Sequence, residues 1–182
     1  MRSYCRLFVL ISILSASAMS CVEKTKVSKT MSRFIESEII IPNDLDCIYK
    51  RDVNKIRKDL LKPFKYIIYY DSLDCTSCKM AHLANIYPLY EMADTCNFSV
   101  LTIFSPKKSQ IDTLRLQLIL SNYPFPVYID GTGTFIKENI AIPSDKRFHS
   151  FLVDDNYVPI YVGNPLANDR LMELFITLLT NQ

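Results

Sequence analysis

The chain has no tryptophan and only three glycines in 182 residues, scarcities that carry no functional message in themselves. Other absences exclude more. No second CxxC accompanies Cys75 and Cys78, because Cys47 and Cys96 are isolated singles, and structural zinc sites with this spacing usually need a second pair. Arg2 and Arg6 hold two of the 21 basic residues, so the chain beyond residue 20 balances 19 basic against 19 acidic side chains. That neutrality, without a basic patch or run, argues against nucleic acid as a partner and against polybasic attachment to anionic lipid. The apolar stretch Leu7 to Leu14 is far short of the roughly 20 residues of a membrane-spanning helix. No internal repeat or low-complexity tract is present.

Arg2 and Arg6, the apolar stretch after them and the small residues Ser15 to Ser20 have the layout of a secretory signal over residues 1–20. It ends in Ala18-Met19-Ser20-Cys21, which resembles the lipobox of bacterial lipoproteins, although Ala18 stands where Leu is usual. The resemblance implies a lipidated Cys21 as the mature N-terminus. The alternative is an ordinary cleaved signal with Cys21 free or paired. Residues 21–36, rich in Lys, Ser and Thr, read as the lipidated cysteine and a flexible tether, and residues 37–182 as one folded domain. An exported compartment permits disulfides. Cys47 and Cys96 read as free buried thiols, with pairing between them left open.

Cys75-Thr76-Ser77-Cys78 follows the apolar run Tyr66 to Tyr70 and precedes a segment with helical patterning. Cysteines three apart fall on one face of a first helical turn, close enough to close a small disulfide ring. The first of them lies among the unsatisfied N–H groups at the positive end of the helix dipole. A thiolate is therefore favoured at Cys75, the attacking group, and Cys78 resolves the mixed disulfide. Around the pair, Lys79 offers a charge that lowers the thiol pKa, or is simply solvated. Asp71 offers a proton acceptor for Cys78, or is a wet strand-end carboxylate, and Asp74 is placed to cap the helix. His82 reads as solvated.

The same patterning predicts a short edge strand at Ile39 to Pro42, a helix over Asp52 to Leu61 stopped by Pro63, and a buried strand from Tyr66 to Asp71. It continues with a helix from Cys75 to about Asp94 kinked at Pro88, a strand Phe98 to Phe104, a helix Gln110 to Asn122 and an extended Val127 to Asp130. Two strands, Ser150 to Asp154 and Pro159 to Val162, and a helix Asn168 to Leu179 close the chain. The expected architecture is α/β, with a central mixed, mostly parallel sheet flanked by helices and a C-terminal ββα unit.

This order is similar to the thioredoxin fold over most of residues 37 to 180. Phe125-Pro126-Val127-Tyr128-Ile129-Asp130 resembles the "FPV..D" segment of the alkyl hydroperoxide reductase and thiol-specific antioxidant superfamily, which includes the TlpA and ResA type reductases. Phe151-Leu152-Val153-Asp154 with Tyr161-Val162-Gly163 resembles its "FLID" ending. The resemblance implies a periplasm-facing, lipid-anchored thiol-disulfide oxidoreductase, a reductase more than an oxidant, needing no cofactor. Its partners would be envelope proteins with disulfides or thiols and an upstream membrane electron donor. A peroxidase is disfavoured, because Ser72-Leu73-Asp74 before Cys75 departs from that reaction's Thr-x-x-Cys context.

One departure concerns the cis-proline the family places before its "FLID" strand. Phe148 stands there, between Arg147 and His149, and with Tyr69 and Tyr70 it is a candidate for lining a substrate groove. His149 is a candidate proton shuttle, or a partly exposed loop histidine. Together with Cys75 and Cys78 it makes an alternative copper site similar to that of Sco-type chaperones, which carry CxxxC instead. A redox-silent thioredoxin-like binding module is the remaining alternative.

Overall fold

The computed structural model describes residues 27–74 and 76–180, with 76–78 as backbone only; the expected signal, Cys21 and Cys75 lie outside the described residues. At the centre, β3 (Phe64–Tyr70) and β4 (Phe98–Phe104) pair in parallel. Both are nearly continuous apolar runs, as strands covered on two faces must be. β5 (Val127–Ile129) joins β4 in parallel, while β1 (Asp46–Tyr49) runs antiparallel to β5 and to β2 (Asp52–Lys55). On the other side β6 (Ser150–Val153) and β7 (Pro159–Val162) add antiparallel strands, giving a seven-stranded sheet of order β2-β1-β5-β4-β3-β6-β7. The sheet is mixed, as expected. Its expected parallel majority is corrected, because four of its six pairings are antiparallel, two of them made by β1.

Helices cover both faces. On one, α2 (Thr76–Ala81), α3 (Tyr87–Thr95), α4 (Ile111–Ser121) and α6 (Asp169–Thr180) pack over Tyr66 and Ile68, burying Leu89, Leu114 and Phe175. On the other, α1 (27–35) and α5 (Thr134–Glu138) bury Phe34 and Phe135 over Ile67, Tyr69 and Phe151. The alternation of side chains along β3 therefore separates two apolar cores.

Four expectations change. Residues 27–35, read as part of the tether, are helical, because Val27, Met31, Phe34 and Ile35 recur at one-turn spacing; Phe34 is fully buried, edge-on to Phe151 at 5.1 Å. Asp52 to Leu61 is a strand and then a short 3-10 turn (Lys58–Leu60), not a helix. Its Val53 and Leu60 are exposed, and β1 captures residues 52–55 through a two-residue turn at Lys50 and Arg51, both with positive φ. Ile39 and Ile40 are extended without a strand partner: Ile39 N–H donates to the Tyr157 carbonyl at 2.9 Å and Ile40 N–H to Asn139 Oδ1 at 2.7 Å. The helix after the CxxC is not one kinked rod but α2, a 3-10 turn (Leu83–Ile86) and α3, with Pro88 in the first turn of α3, where its missing N–H costs nothing.

Candidate active site

β3 is held between β4 and β6, and delivers the chain at Tyr70 and Asp71 to the upper edge of the sheet. A tight loop follows, and it is built by its own carboxylates. The Asp71 carboxylate accepts from the N–H groups of Leu73 at 2.7 Å and Asp74 at 3.1 Å, and Asp74 Oδ2 accepts in return from Asp71 N–H at 3.1 Å. This reciprocal bonding fixes the three residues before Cys75, and α2 begins at the residue after it, with Cys78 in its first turn.

Asp74 is the electrostatic centre of the loop. Its side chain is only 9% exposed, with Lys146 Nζ donating to Oδ1 at 2.9 Å and Lys79 Nζ at 3.7 Å from the same oxygen. Lys146 also lies 3.5 Å from Asp71 Oδ1, and Lys79 sits 5.3 Å from the centre of the Tyr70 ring. Two carboxylates thus meet two ammonium groups, and the bond to Asp74 raises the Lys146 pKa above its ordinary value. Burial likewise raises the Tyr70 phenol, and its ring lies beneath the Lys79 ammonium.

Of the sequence candidates, the structure gathers Asp71 and Lys79 around Asp74. Phe148 and His149 are placed differently. Phe148 ends the 3-10 turn Lys146–Phe148 and lines a shallow cleft of about 320 Å³ with Met31 and Ile35 of α1 and Ile160, Tyr161 and Val162 of β7. His149, a candidate proton shuttle or copper ligand and otherwise a partly exposed loop histidine, is 4% exposed. Its Nε2 donates to the Pro143 carbonyl at 3.0 Å, its ring packs on Tyr69 at 5.3 Å, and its own carbonyl accepts from Tyr69 N–H at 2.8 Å. Tyr69 belongs to the face covered by α1 and α5, opposite the α2–α3 face. Nδ1 of His149 is buried without a hydrogen-bond partner. Among the described residues, which omit Cys75, no three metal-ligating side chains converge.

Lys146 is the residue that sequence reasoning missed. It lies 72 positions from Asp74, in the turn ahead of β6, and only the antiparallel pairing of β6 with β3 brings the two together. Cys47 and Cys96 are both free thiols, and burial pushes the Cys47 thiol up.

No protein-family model and no curated protein matches the sequence. Solved structures do match in shape. AhpC of Mycobacterium tuberculosis superposes with a TM-score of 0.52 at 14% identity, over 80% of this chain and 93% of that one. A candidate thiol:disulfide interchange protein DsbE from Chlorobium tepidum gives 0.51 at 17%, over 79% and 98%. A candidate thiol-disulfide oxidoreductase from Bacteroides vulgatus gives 0.52 at 15%, over 81% and 94%. The chain has a thioredoxin-like α/β fold.

Proposed function

We propose that the protein is a thiol-disulfide oxidoreductase acting as a reductase in the bacterial periplasm. The observation that supports this most is the position of the dithiol: Cys75 follows a loop anchored by Asp71 and Asp74 at the end of a central strand, and Cys78 lies in the first turn of the next helix. The Cys75 thiolate attacks one sulfur of a substrate disulfide, and the departing sulfur leaves as a thiolate that takes a proton. Cys78, deprotonated, then attacks the Cys75 sulfur, releasing the second substrate thiol and leaving the Cys75–Cys78 disulfide. Two electrons pass to the substrate, and a membrane electron donor restores the dithiol.

The remaining parts of the reading follow the sequence. Export by residues 1–20 and lipidation at Cys21 would hold the domain at the membrane, facing envelope proteins with disulfides or thiols. The shape shared with AhpC does not bring peroxidase chemistry, since Ser72-Leu73-Asp74 before Cys75 departs from the Thr-x-x-Cys context of that reaction. Trapping decides the matter. In the native envelope, Cys78→Ser should accumulate mixed disulfides through Cys75 that dithiothreitol releases, and Cys75→Ser should abolish insulin reduction. An empty trap with insulin reduction intact in Cys75→Ser would sink the reading.

A further inference from the structure

The turn that carries Lys146 to the dithiol loop also forms one wall of an apolar cleft. Lys146 Nζ donates to Asp74 Oδ1 at 2.9 Å, and Asp74 is the residue before Cys75. Phe148 N–H donates to the Asp145 carbonyl at 3.0 Å and His149 N–H to the Lys146 carbonyl at 3.2 Å, which closes the turn. His149 then packs inward on Tyr69, and Phe148 is left half-buried at the rim.

α1 supplies the opposite wall. Phe34 docks edge-on to Phe151 at 5.1 Å, and its neighbours Met31 and Ile35 then line the cleft together with Ile160 and Val162 of β7, the outermost strand on that side. The space is about 320 Å³, and no charged side chain lines it. That volume is near the lower limit of ligand pockets, enough for one large side chain and too little for a cofactor. Ile35 is 44% exposed, so part of this apolar wall is open to solvent. The charges of the neighbouring loop are paired with one another, Lys146 with Asp71 and Asp74 and Lys79 with Asp74. The loop therefore offers a partner little uncompensated charge to recognise, and selection falls to the apolar cleft beside it.

We propose that this cleft selects the substrate: it takes an apolar side chain, of leucine to phenylalanine size, that lies about three residues from the disulfide cysteine of a partner polypeptide. The spacing follows from the sheet. β6 and β7 come next to β3 in the strand order, so the end of β3 and the outermost strand are two spacings apart, about 10 Å. An extended chain covers that distance in about three residues. A polypeptide joined to Cys75 is thereby held where such a side chain reaches Phe148, and the cleft adds affinity for apolar sequences without touching the sulfur chemistry.

The inference rests on the oxidoreductase reading, and the test separates the two. The substrates are serine- and alanine-based peptides with one central cysteine, each dimerised through its disulfide, with phenylalanine or serine three positions from the cysteine on both sides. The full chain in detergent, kept reduced by dithiothreitol, should reduce the phenylalanine peptide with a kcat/KM about tenfold or more above the serine peptide, the scale of burying one large apolar side chain, and the gain should lie in KM. Phe148→Ala and Ile35→Glu should each abolish this preference with far-ultraviolet dichroism unchanged. In the mixed disulfide of Cys78→Ser with the phenylalanine peptide, amide exchange should slow at Ile160 to Val162. If neither peptide is reduced, the oxidoreductase reading falls and this inference with it. If the parent chain reduces both at equal rates, or the preference survives in both variants, the cleft proposal is overturned and the reading stands. A second copy of the chain in the cleft, seen by light scattering as a dimer that Ile35→Glu dissociates, would overturn it as well.

Discussion

Asp74 puts a carboxylate one residue ahead of Cys75, a place where its charge disfavours a neighbouring thiolate. Lys146 and Lys79 offset it, so the loop presents two positive and two negative groups instead of an uncompensated acid. Lys146→Ala should therefore raise the midpoint pH of Cys75 alkylation by iodoacetamide by about half a pH unit, the scale expected for a partly exposed ion pair. Asp74→Asn should move it the other way. Equal midpoints in all three proteins would remove these side chains from the control of Cys75. The sequence displayed part of this constellation, because Asp71, Asp74, Cys75, Cys78 and Lys79 fall within nine consecutive residues at a strand-to-helix junction. Lys146 was illegible, since no local pattern links residues that meet only through strand pairing. The position of His149 just before β6 is legible in the sequence, but the face of the sheet it joins depends on register, and register puts it with Tyr69.

Elements were legible where burial is two-sided. β3, β4 and β6 are apolar runs buried on both faces, β7 is a four-residue edge strand buried at alternate positions, and α4 and α6 carry helical spacing to within a residue of their observed ends. The β1–β2 hairpin failed because its turn residues, Lys50 and Arg51, carry no glycine or asparagine signal, although both have positive φ, at 50° and 70°. That mismatch is testable. Left-handed backbone is strained for a residue with a Cβ, so Arg51→Gly should raise stability by about 0.5 kcal/mol, seen as a higher urea midpoint at unchanged slope, whereas Arg51→Val should lower it. The hairpin is also tied to α4 by charge. Asp46 accepts from Lys55 of β2 and Arg115 of α4, both at 2.7 Å. Burial alone would raise the Asp46 pKa, but these two partners outweigh it and hold the carboxyl below its ordinary value. With the folded value below the unfolded one, its stabilisation is complete above about pH 4 and is lost as pH falls through the folded value. Asp46→Asn should thus unfold at lower urea at pH 7 and show a shallower loss between about pH 4 and pH 2 than the parent chain. Parallel urea-midpoint curves would deny the bridge any part in stability.

At the scale of the whole molecule, the loop before the dithiol lies at one end of the central strands, and the membrane attachment proposed for the chain would lie outside the folded body. Among the described residues no helix is long and apolar enough to cross one, and the chain beyond residue 20 has no net charge to hold it electrostatically at an anionic surface. In the proposed reading, attachment would come from acyl chains at Cys21. One chain gives only marginal, reversible binding, whereas the several carried by a bacterial lipoprotein N-terminus would make release negligible. Residues 27–35 form a helix docked through Phe34, so they are not available to the tether expected over residues 21–36; an anchor at Cys21 would then be joined to the folded body through six residues, a contour of at most about 20 Å. The dithiol domain would therefore sit close to the bilayer. Cys21→Ala should move the protein quantitatively from the membrane fraction to the soluble periplasmic fraction and abolish incorporation of labelled palmitate, while the purified domain keeps full insulin reduction. Membrane association that survives Cys21→Ala at high salt would place the anchor elsewhere in the chain.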